Sequence, residues 1–106
     1  MFLRTYIKAK TREEAQNHLN NLLTMAEALN IKLTILNVEP FWKFKNSFKI
    51  EIRGIELTDE ILSEFLGSIA SKWDRFPDSF LASETLEGCT IFLDNIEFIE
   101  VFNKEF

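Results

Sequence analysis

The stretch from Thr58 to Trp73 constrains the fold more than any other part of the chain, because it has the pattern of an amphipathic helix. Its apolar residues recur at spacings of one, three and four, which places them on one side of a helix. They are Ile61, Leu62, Phe65, Leu66, Ile69 and Trp73. Thr58 suits the N-cap position, since its hydroxyl can accept a bond from a free backbone donor. Such a side must be buried, and the strand-like segments before and after it supply the covering surface.

The beginning of the chain predicts a strand followed by a helix. Residues 2–9 alternate between two faces, as a strand does. Thr11 and Glu14 have the spacing of a capping box, in which each side chain satisfies an otherwise free backbone donor. Apolar residues at helical spacing follow, and Asn30 is a suitable stop because it tolerates a left-handed backbone. We therefore expect the first helix at about residues 12–29.

The next segment predicts two strands. Residues 31–39 are apolar and β-branched, and Pro40 should end that strand or mark a sheet edge, because it has no backbone donor. Residues 42–53 alternate almost perfectly, interrupted only at Asn46-Ser47. The alternation fits either one long strand or a hairpin with its turn near Asn46-Ser47. We favour a strand at about residues 47–53 that follows an aromatic connection.

The tail predicts several short strands. Phe76-Pro77-Asp78 breaks the second helix, because proline disfavours helix in the residue before it. Beyond this point we expect strands at residues 79–86, 90–93 and 96–102, with turns between them. The tail also concentrates negative charge, with seven acids and a single base, Lys104, between residues 76 and 106. The acids are Asp78, Glu84, Glu87, Asp94, Glu97, Glu100 and Glu105.

The orientation of the last strand can be predicted in two ways. Glu100 shares a face with Phe98 and Phe102, whereas Ile99 and Val101 occupy the other face. Either Glu100 lies at a sheet edge, or Ile99 and Val101 face the core and the two rings are exposed. In the second case, rings and carboxylates would share an open surface.

The predicted order of elements is strand, helix, strand, strand, helix, strand, with an extra strand in the tail. This order resembles the ferredoxin-like split βαβ sandwich, in which two helices cover one face of a mostly antiparallel sheet. The resemblance covers about the whole chain, rests on element order alone and carries no sequence motif. We therefore expect a single α+β domain over residues 1–106, with one or more extra C-terminal strands. A fold of this kind does not by itself imply an activity.

The charge is divided unevenly between the halves of the chain. Residues 1–50 carry eight Lys/Arg and four Asp/Glu, a net charge of +4, whereas residues 51–106 carry four and thirteen, a net charge of −9. One interpretation, which we favour, is that the halves neutralise each other across neighbouring strands. The other is a polarised surface whose acidic part meets a basic partner.

The composition also predicts where the protein acts. The first ten residues, MFLRTYIKAK, lack the apolar run of a signal peptide, and no segment has the length of a membrane span. Cys89 is the single cysteine, so an internal disulfide is excluded. We therefore expect a cytoplasmic protein that binds no membrane.

We expect neither His18 nor Cys89 to be catalytic. Nothing near His18 in the sequence completes a site, and one histidine with one cysteine provides too few ligands for a conventional zinc site. Glu87 lies close to Cys89, and a nearby carboxylate raises the pKa of a thiol and makes it less reactive. No phosphate loop, nucleophile elbow or calcium loop is present in the sequence. We expect no catalytic residue, no metal and no cofactor.

The segment FWKFK at residues 41–45 combines rings with lysines, as proteins that bind single-stranded nucleic acid do. An RNA-recognition module has a comparable four-stranded sheet, but its third strand carries a glycine and aromatic pattern that residues 46–52, NSFKIEI, lack. The net charge of −5 also opposes phosphate binding. We expect the rings to turn inward and the lysines outward, with no nucleic-acid partner.

We therefore expect a non-enzymatic, acidic binding protein that acts through a protein partner, with a basic partner favoured. An inhibitor of the immunity type and an assembly or regulatory module both fit, and a homodimer is possible. The predicted contact residues are Glu84, Glu87, Glu97 and Glu100.

The alternative is a small dimeric ferredoxin-like enzyme or small-molecule-binding protein. Its aromatic-lined pocket would lie between helices and sheet, with His18 or Tyr6 as the polar group. A deep apolar pocket that reaches His18 would favour this alternative. A filled core with an acidic, solvent-facing patch would favour the binding protein.

Overall fold

Two helices and six strands form the molecule, as the computed structural model shows for residues 1–104. In chain order they are β1 (Phe2–Lys8), α1 (Arg12–Ala28), β2 (Leu33–Pro40), β3 (Ser47–Gly54), α2 (Asp59–Ile69), β4 (Asp74–Arg75), β5 (Phe80–Ser83) and β6 (Ile96–Phe102). The strands lie in one sheet in the order β2-β3-β1-β6-β5-β4, and all neighbours are antiparallel. The predicted α+β fold with ferredoxin-like order is confirmed. Glu105, one of the tail acids, and Phe106 lie outside the described residues.

The central strand of the sheet is β1, which pairs with β3 on one side and with β6 on the other. Because β3 lies between β1 and β2, the first βαβ unit is split, as the element order predicts. β6 takes the place beside β1 that the last strand of a ferredoxin-like sheet occupies. The additional strands β5 and β4 extend the sheet beyond β6, although they come before it in the chain.

The first helix begins and ends close to the predicted positions. Thr11 Oγ1 accepts a hydrogen bond from the backbone N–H of Glu14 at 3.1 Å. The Glu14 carboxylate accepts one from the backbone of Lys10 at 3.4 Å, so the reciprocal half of the cap reaches one residue further back than predicted. Asn30 has a φ of 60°, the left-handed conformation expected of a helix stop. The N–H groups of residues 30 and 31 close the helix end, so β2 begins at Leu33 and not at residue 31.

The second helix is shorter than predicted and ends at Ile69. Ala70 has an extended backbone and forms a bridge with Ile91, because the chain turns there to pair with the tail. Trp73 therefore lies outside the helix, partly buried against the core, with its Nε1 donating to the carbonyl of Leu66 at 2.8 Å. The predicted inner side is buried at Leu62, Phe65, Leu66 and Ile69. Ile61, also predicted to face inward, is 37% exposed.

The core lies between the helices and one face of the sheet. Its sheet side consists of Leu3, Ile7, Phe48, Ile50, Ile52, Ile99 and Val101, all buried. Leu19 and Leu22 of α1 cover it together with Phe65 and Ile69 of α2, and each of these four side chains is 0% exposed. Leu29, which follows the last residue of α1, is only partly buried against this core.

The last strand adopts the second predicted orientation. Ile99 and Val101 are fully buried, and Phe98 and Phe102 face away from the helices. The register shifts within this pair, since Tyr6 is opposite Phe98 but Ile7 is opposite Ile96. The shift explains why Ile96 is buried although simple alternation places it on the same face as Phe98.

The tail contains fewer paired residues than predicted. The strand expected at residues 79–86 is confined to Phe80–Ser83, because the Ser83 side chain and carbonyl bind the N–H groups of Thr85 and Leu86 in a turn. The strand expected at residues 90–93 is reduced to the single bridge at Ile91. The two-residue strand β4 was not predicted from the sequence.

Substituting Phe65 tests the core assignment. Phe65→Ala should lower the free energy of unfolding by about 3–5 kcal/mol, because it empties a fully buried aromatic site. Urea denaturation monitored by circular dichroism measures this loss. Phe92→Ala is the matched control, since Phe92 is 55% exposed and should cost about 0.5 kcal/mol or less. A loss below about 1 kcal/mol for Phe65→Ala would contradict the burial of this helix face.

Candidate functional site

The face of the sheet opposite the helices, here called the open face, carries the outward side chains of the strands. On the three central strands these are Phe2, Arg4, Tyr6, Lys8, Lys49, Glu51, Arg53, Phe98, Glu100 and Phe102. Rings from β1 and β6 meet at both ends of this set, and charged side chains lie between them. The open face therefore combines rings with carboxylates, as the second orientation of the last strand predicts.

Cross-strand ion pairs neutralise most charges of the open face. Arg4 lies directly opposite both Glu51 and Glu100, with N–O distances of 3.4 Å and 4.0 Å. The Lys8 ammonium lies 3.1 Å from Glu84. Each of these contacts joins residues 1–50, the basic half of the chain, to residues 51–106, the acidic half. Neutralisation across strands, one of the two interpretations of the charge asymmetry, therefore applies on this face.

A fourth ion pair joins the edge strand β2 to β3. The Lys49 ammonium lies 2.7 Å from Glu39, and this hydrogen bond lowers the pKa of the Glu39 carboxyl. The bond with Glu39 in turn raises the pKa of Lys49. A similar bond with Glu84 raises the pKa of Lys8. All three shifts favour the charged forms of Glu39, Lys49 and Lys8.

A groove of about 570 Å³ lies on the open face where β1, β5 and β6 meet the connection between β2 and β3. It is lined by Tyr6, Phe41, Lys43, Phe44, Ser83, Glu84, Thr85, Glu97 and Phe98, and is called the aromatic groove below. Its size lies within the range of sites that bind small molecules or single side chains.

The rings of the aromatic groove contact one another in a chain. Ring centroids are 4.6 Å apart for Tyr6 and Phe41, 5.1 Å for Tyr6 and Phe98, and 5.6 Å for Phe41 and Phe44. These distances are typical of favourable aromatic pairs. Trp42, next to the groove, is 88% exposed. The rings thus form a continuous apolar surface that ends in a protruding indole.

The expectation that the rings of residues 41–45 turn inward is wrong. These residues form a connection and not a strand, so the alternation of their side chains does not assign them to sheet faces. The N–H of Phe41 donates to the carbonyl of Ser47 at 2.8 Å, and Asn46 has a φ of 58°. The resulting turn folds Phe41 over Tyr6 and leaves Phe44 55% exposed.

The structure brings together three of the four predicted contact residues. Glu84 and Glu97 line the aromatic groove, and Glu100 lies further along β6 on the same face, 3.5 Å from the Ser79 hydroxyl. Glu87 is separate from them, because its loop packs beside the end of α2, where Lys72 donates to the Glu87 carbonyl at 2.9 Å.

Glu97 is the acid of the groove without a close ion pair to any described residue, although Lys8, which is paired with Glu84, lies near enough for the Glu97 charge to contribute to the raised pKa of Lys8. Its carboxylate accepts a hydrogen bond from the Ser47 hydroxyl at 3.0 Å. Within residues 1–104 it forms no ion pair, whereas Glu84 and Glu100 are paired with Lys8 and Arg4. Glu97 is therefore the carboxylate in the groove that is free to bind an incoming cation.

The sequence did not predict the rings of Tyr6, Phe41, Phe44 and Phe98 as one site. The segment FWKFK drew attention to two of these rings, but the distances that join them to Tyr6 and Phe98 depend on pairing between strands far apart in the chain. For Phe98 the sequence did offer a signal. Its alternation with Ile99 and Val101 in the last strand allowed Phe98 to be exposed if those two residues faced the core.

His18 and Cys89 lie away from the aromatic groove. His18 Nδ1 is 3.3 Å from the side-chain amide of Asn95, and its Nε2 is 3.9 Å from Glu14. The Cys89 thiol donates to the carbonyl of Lys72 at 3.3 Å and is partly buried against the core. No group of three or more His, Cys, Asp or Glu side chains that could hold a metal ion occurs within residues 1–104.

The chain was compared with family models, curated proteins and solved structures. No family model, curated protein or solved structure matches it. Neither helix in the described part of the chain is long and apolar enough to cross a membrane. The geometry of the open face is therefore the basis for assigning a function to this chain.

The Glu39–Lys49 pair predicts a specific pH dependence of stability. Because the pKa of Glu39 is lowered in the folded state, its contribution is present above the ordinary carboxyl value of 4.5 and is lost as the pH falls through the lowered value. A double-mutant cycle with Glu39→Gln and Lys49→Gln, measured by urea denaturation, should show a favourable coupling at pH 7 that disappears in acid. A coupling that persists after Glu39 is protonated would show that the contact is not ionic.

Proposed function

We propose that the protein is a non-enzymatic binding module that acts through a protein partner, and that the partner docks on the open face at the aromatic groove. The observation that supports this proposal is the exposed, ring-lined groove with Trp42 protruding beside it. Aromatic residues dominate the energetic centres of protein interfaces, because they bury a large area with few rotatable bonds.

The carboxylates of the groove favour a partner that carries a basic residue. Glu97 can receive a cation directly, and ring faces such as those of Tyr6 and Phe98 attract cations as well. Glu84 and Glu100 already hold Lys8 and Arg4, so a basic partner has to exchange with these residues there. An inhibitor of the immunity type and an assembly or regulatory module would both act in this way. We propose that the protein acts in the cytoplasm, where its free Cys89 stays reduced.

The size of the groove supports a second candidate function, the binding of a small aromatic molecule. A volume of about 570 Å³ is sufficient for such a ligand, and Tyr6 supplies a polar group among the rings. The groove lies on the open face, however, and not between helices and sheet where such a pocket was expected. Its wide exposure at Phe44 and Trp42 favours a protein over an enclosed ligand.

Photo-cross-linking tests the location of the partner. A photoreactive phenylalanine analogue at position 42 should capture a partner in the native cell, whereas the same analogue at position 92 should not. Phe92 is the matched control, because it is a 55% exposed ring in a different connection. Equal capture of the same protein at both positions would contradict docking at the groove.

Charge reversal then tests the role of the tail acids on the identified partner. Glu97→Lys with Glu100→Lys should weaken binding several-fold and slow association most at low salt, because steering by charge is screened by ions. Glu60→Lys with Glu64→Lys makes the same change in net charge on the exposed side of α2 and should have a smaller effect. Stopped-flow association over a range of salt concentrations measures both. If neither salt nor the Glu97→Lys, Glu100→Lys change altered the association rate or the affinity, the acids would have no role in binding.

His18→Ala and Cys89→Ser should leave partner binding unchanged, since neither residue lines the groove. Each variant should be tested by the same association measurement, together with its thermal unfolding. His18→Ala should lower stability slightly through the loss of its contact with Asn95. Loss of function in either variant while it remained folded would contradict the non-enzymatic proposal.

A further inference from the structure

We propose that the aromatic groove is self-complementary, and that a second copy of this chain occupies it by inserting Trp42. In the symmetric dimer, Trp42 of each copy fills the groove of the other. The inference rests on the proposed function, because it names a protein partner for the same groove. A homodimer was one of the expected forms of the protein, and the inference specifies which residues would form its interface.

The connection between β2 and β3 provides the inserted group. Trp42 is 88% exposed, although the neighbouring ring of Phe41 packs on Tyr6 with a centroid distance of 4.6 Å. The indole therefore stands out from a connection that the ring stack holds against the sheet. Phe41 and Phe44 of the same connection form one wall of the groove, so the inserted ring and the receiving surface are adjacent. A two-fold interface uses the same surface patch on both copies, so the inserted Trp42 and the groove that receives it have to belong to one patch.

Charge complementarity identifies the second copy as the occupant. Trp42 is followed by the exposed Lys43 and Lys45, and the groove, which Lys43 also lines at its edge of the connection, contains the two carboxylates of Glu84 and Glu97. An incoming connection would thus bring lysines toward carboxylates as its indole meets the rings. Lys8 already holds Glu84 within one copy at 3.1 Å. Glu97 accepts a hydrogen bond from the Ser47 hydroxyl at 3.0 Å and interacts with Lys8 only at longer range, so it is the carboxylate that receives a lysine of the second copy.

The outer edges of the sheet are less suited to self-association. β2 is an edge strand with two exposed apolar residues, Ile35 and Leu36, but its register shifts at this point and it ends on Pro40. Bulges and prolines disfavour the addition of a further strand. The opposite edge, β4, has only two residues. Side-chain insertion at the groove therefore explains self-association better than extension of the sheet.

A charge-swap experiment on the full chain tests the inference. The groove variant carries Glu84→Lys and Glu97→Lys, and the connection variant carries Lys43→Glu and Lys45→Glu. Each variant alone should be monomeric in sedimentation velocity, because like charges then meet in both contacts of the dimer. An equimolar mixture should form a heterodimer with two favourable contacts. In one contact the lysines of the groove variant meet the glutamates of the connection variant. In the other, the unchanged groove of the connection variant meets the unchanged connection of the groove variant, as in the wild type.

Replacing the inserted ring tests the contact without changing charge. Trp42→Ala should weaken dimerisation about 30-fold or more, as removal of a central aromatic anchor does. Phe76→Ala and Phe92→Ala are matched controls, because these rings are 52% and 55% exposed but lie outside the groove and its connection. Circular dichroism shows whether each variant remains folded.

The outcomes separate this inference from the proposed function. A wild-type dimer, monomeric single variants and a restored heterodimer support the inference. A wild-type protein that is monomeric over the whole concentration range overturns it, as does a dimer that both charge variants retain. In those cases cross-linking at position 42 still decides whether a different protein docks at the groove. Loss of dimerisation in the Phe76 or Phe92 control would also overturn it, because the interface would then lie elsewhere.

Discussion

The whole arrangement depends on the burial of one side of the sheet under helices that cover only that side. Phe65 of α2 and Leu19 of α1 are fully buried in the same core as Leu3 and Ile7 of β1. Because successive strand residues point to opposite faces, each residue that fixes the inner side sends its neighbours outward. Tyr6 is thus placed on the open face by the residues around it. The outward positions of Tyr6 and Phe98 therefore follow from the burial of their neighbours along β1 and β6.

One extra residue in β6 decides what the aromatic groove contains. Tyr6 pairs with Phe98 whereas Ile7 pairs with Ile96, which leaves Glu97 as the residue between the two pairs. Strict alternation would have placed Ile96 beside Phe98 on the open face. With the bulge, Ile96 is only 3% exposed and the Glu97 carboxylate lines the groove. Bulges often re-aim a side chain next to a functional site, and this one combines an acid with the rings.

Sequence patterns predicted those element limits that depend on residues close by in the sequence. Thr11 and Thr58 each accept a hydrogen bond from a backbone N–H three residues later, so both helix starts follow from local chemistry. The end of α2 does not, because it depends on pairing of Ala70 with Ile91. The site was predicted only in part for the same reason. Carboxylates could be chosen by composition, whereas the ring chain from Phe41 to Phe98 requires the register of β1 with both neighbours.

The charge asymmetry is neutralised on the open face but persists on the exposed side of α2. On the open face the acids are mostly neutralised, as Arg4 shows between its two carboxylates. The helix layer is different: no Lys or Arg occurs between Arg53 and Lys72, and the acids of this interval include the exposed Asp59 and Glu64. These acids lie on the side of the sheet opposite the aromatic groove, and their charge is screened over about a Debye length, roughly 10 Å at moderate salt. In the proposed docking, selectivity at the groove therefore comes from the rings and Glu97, which act only at contact distance.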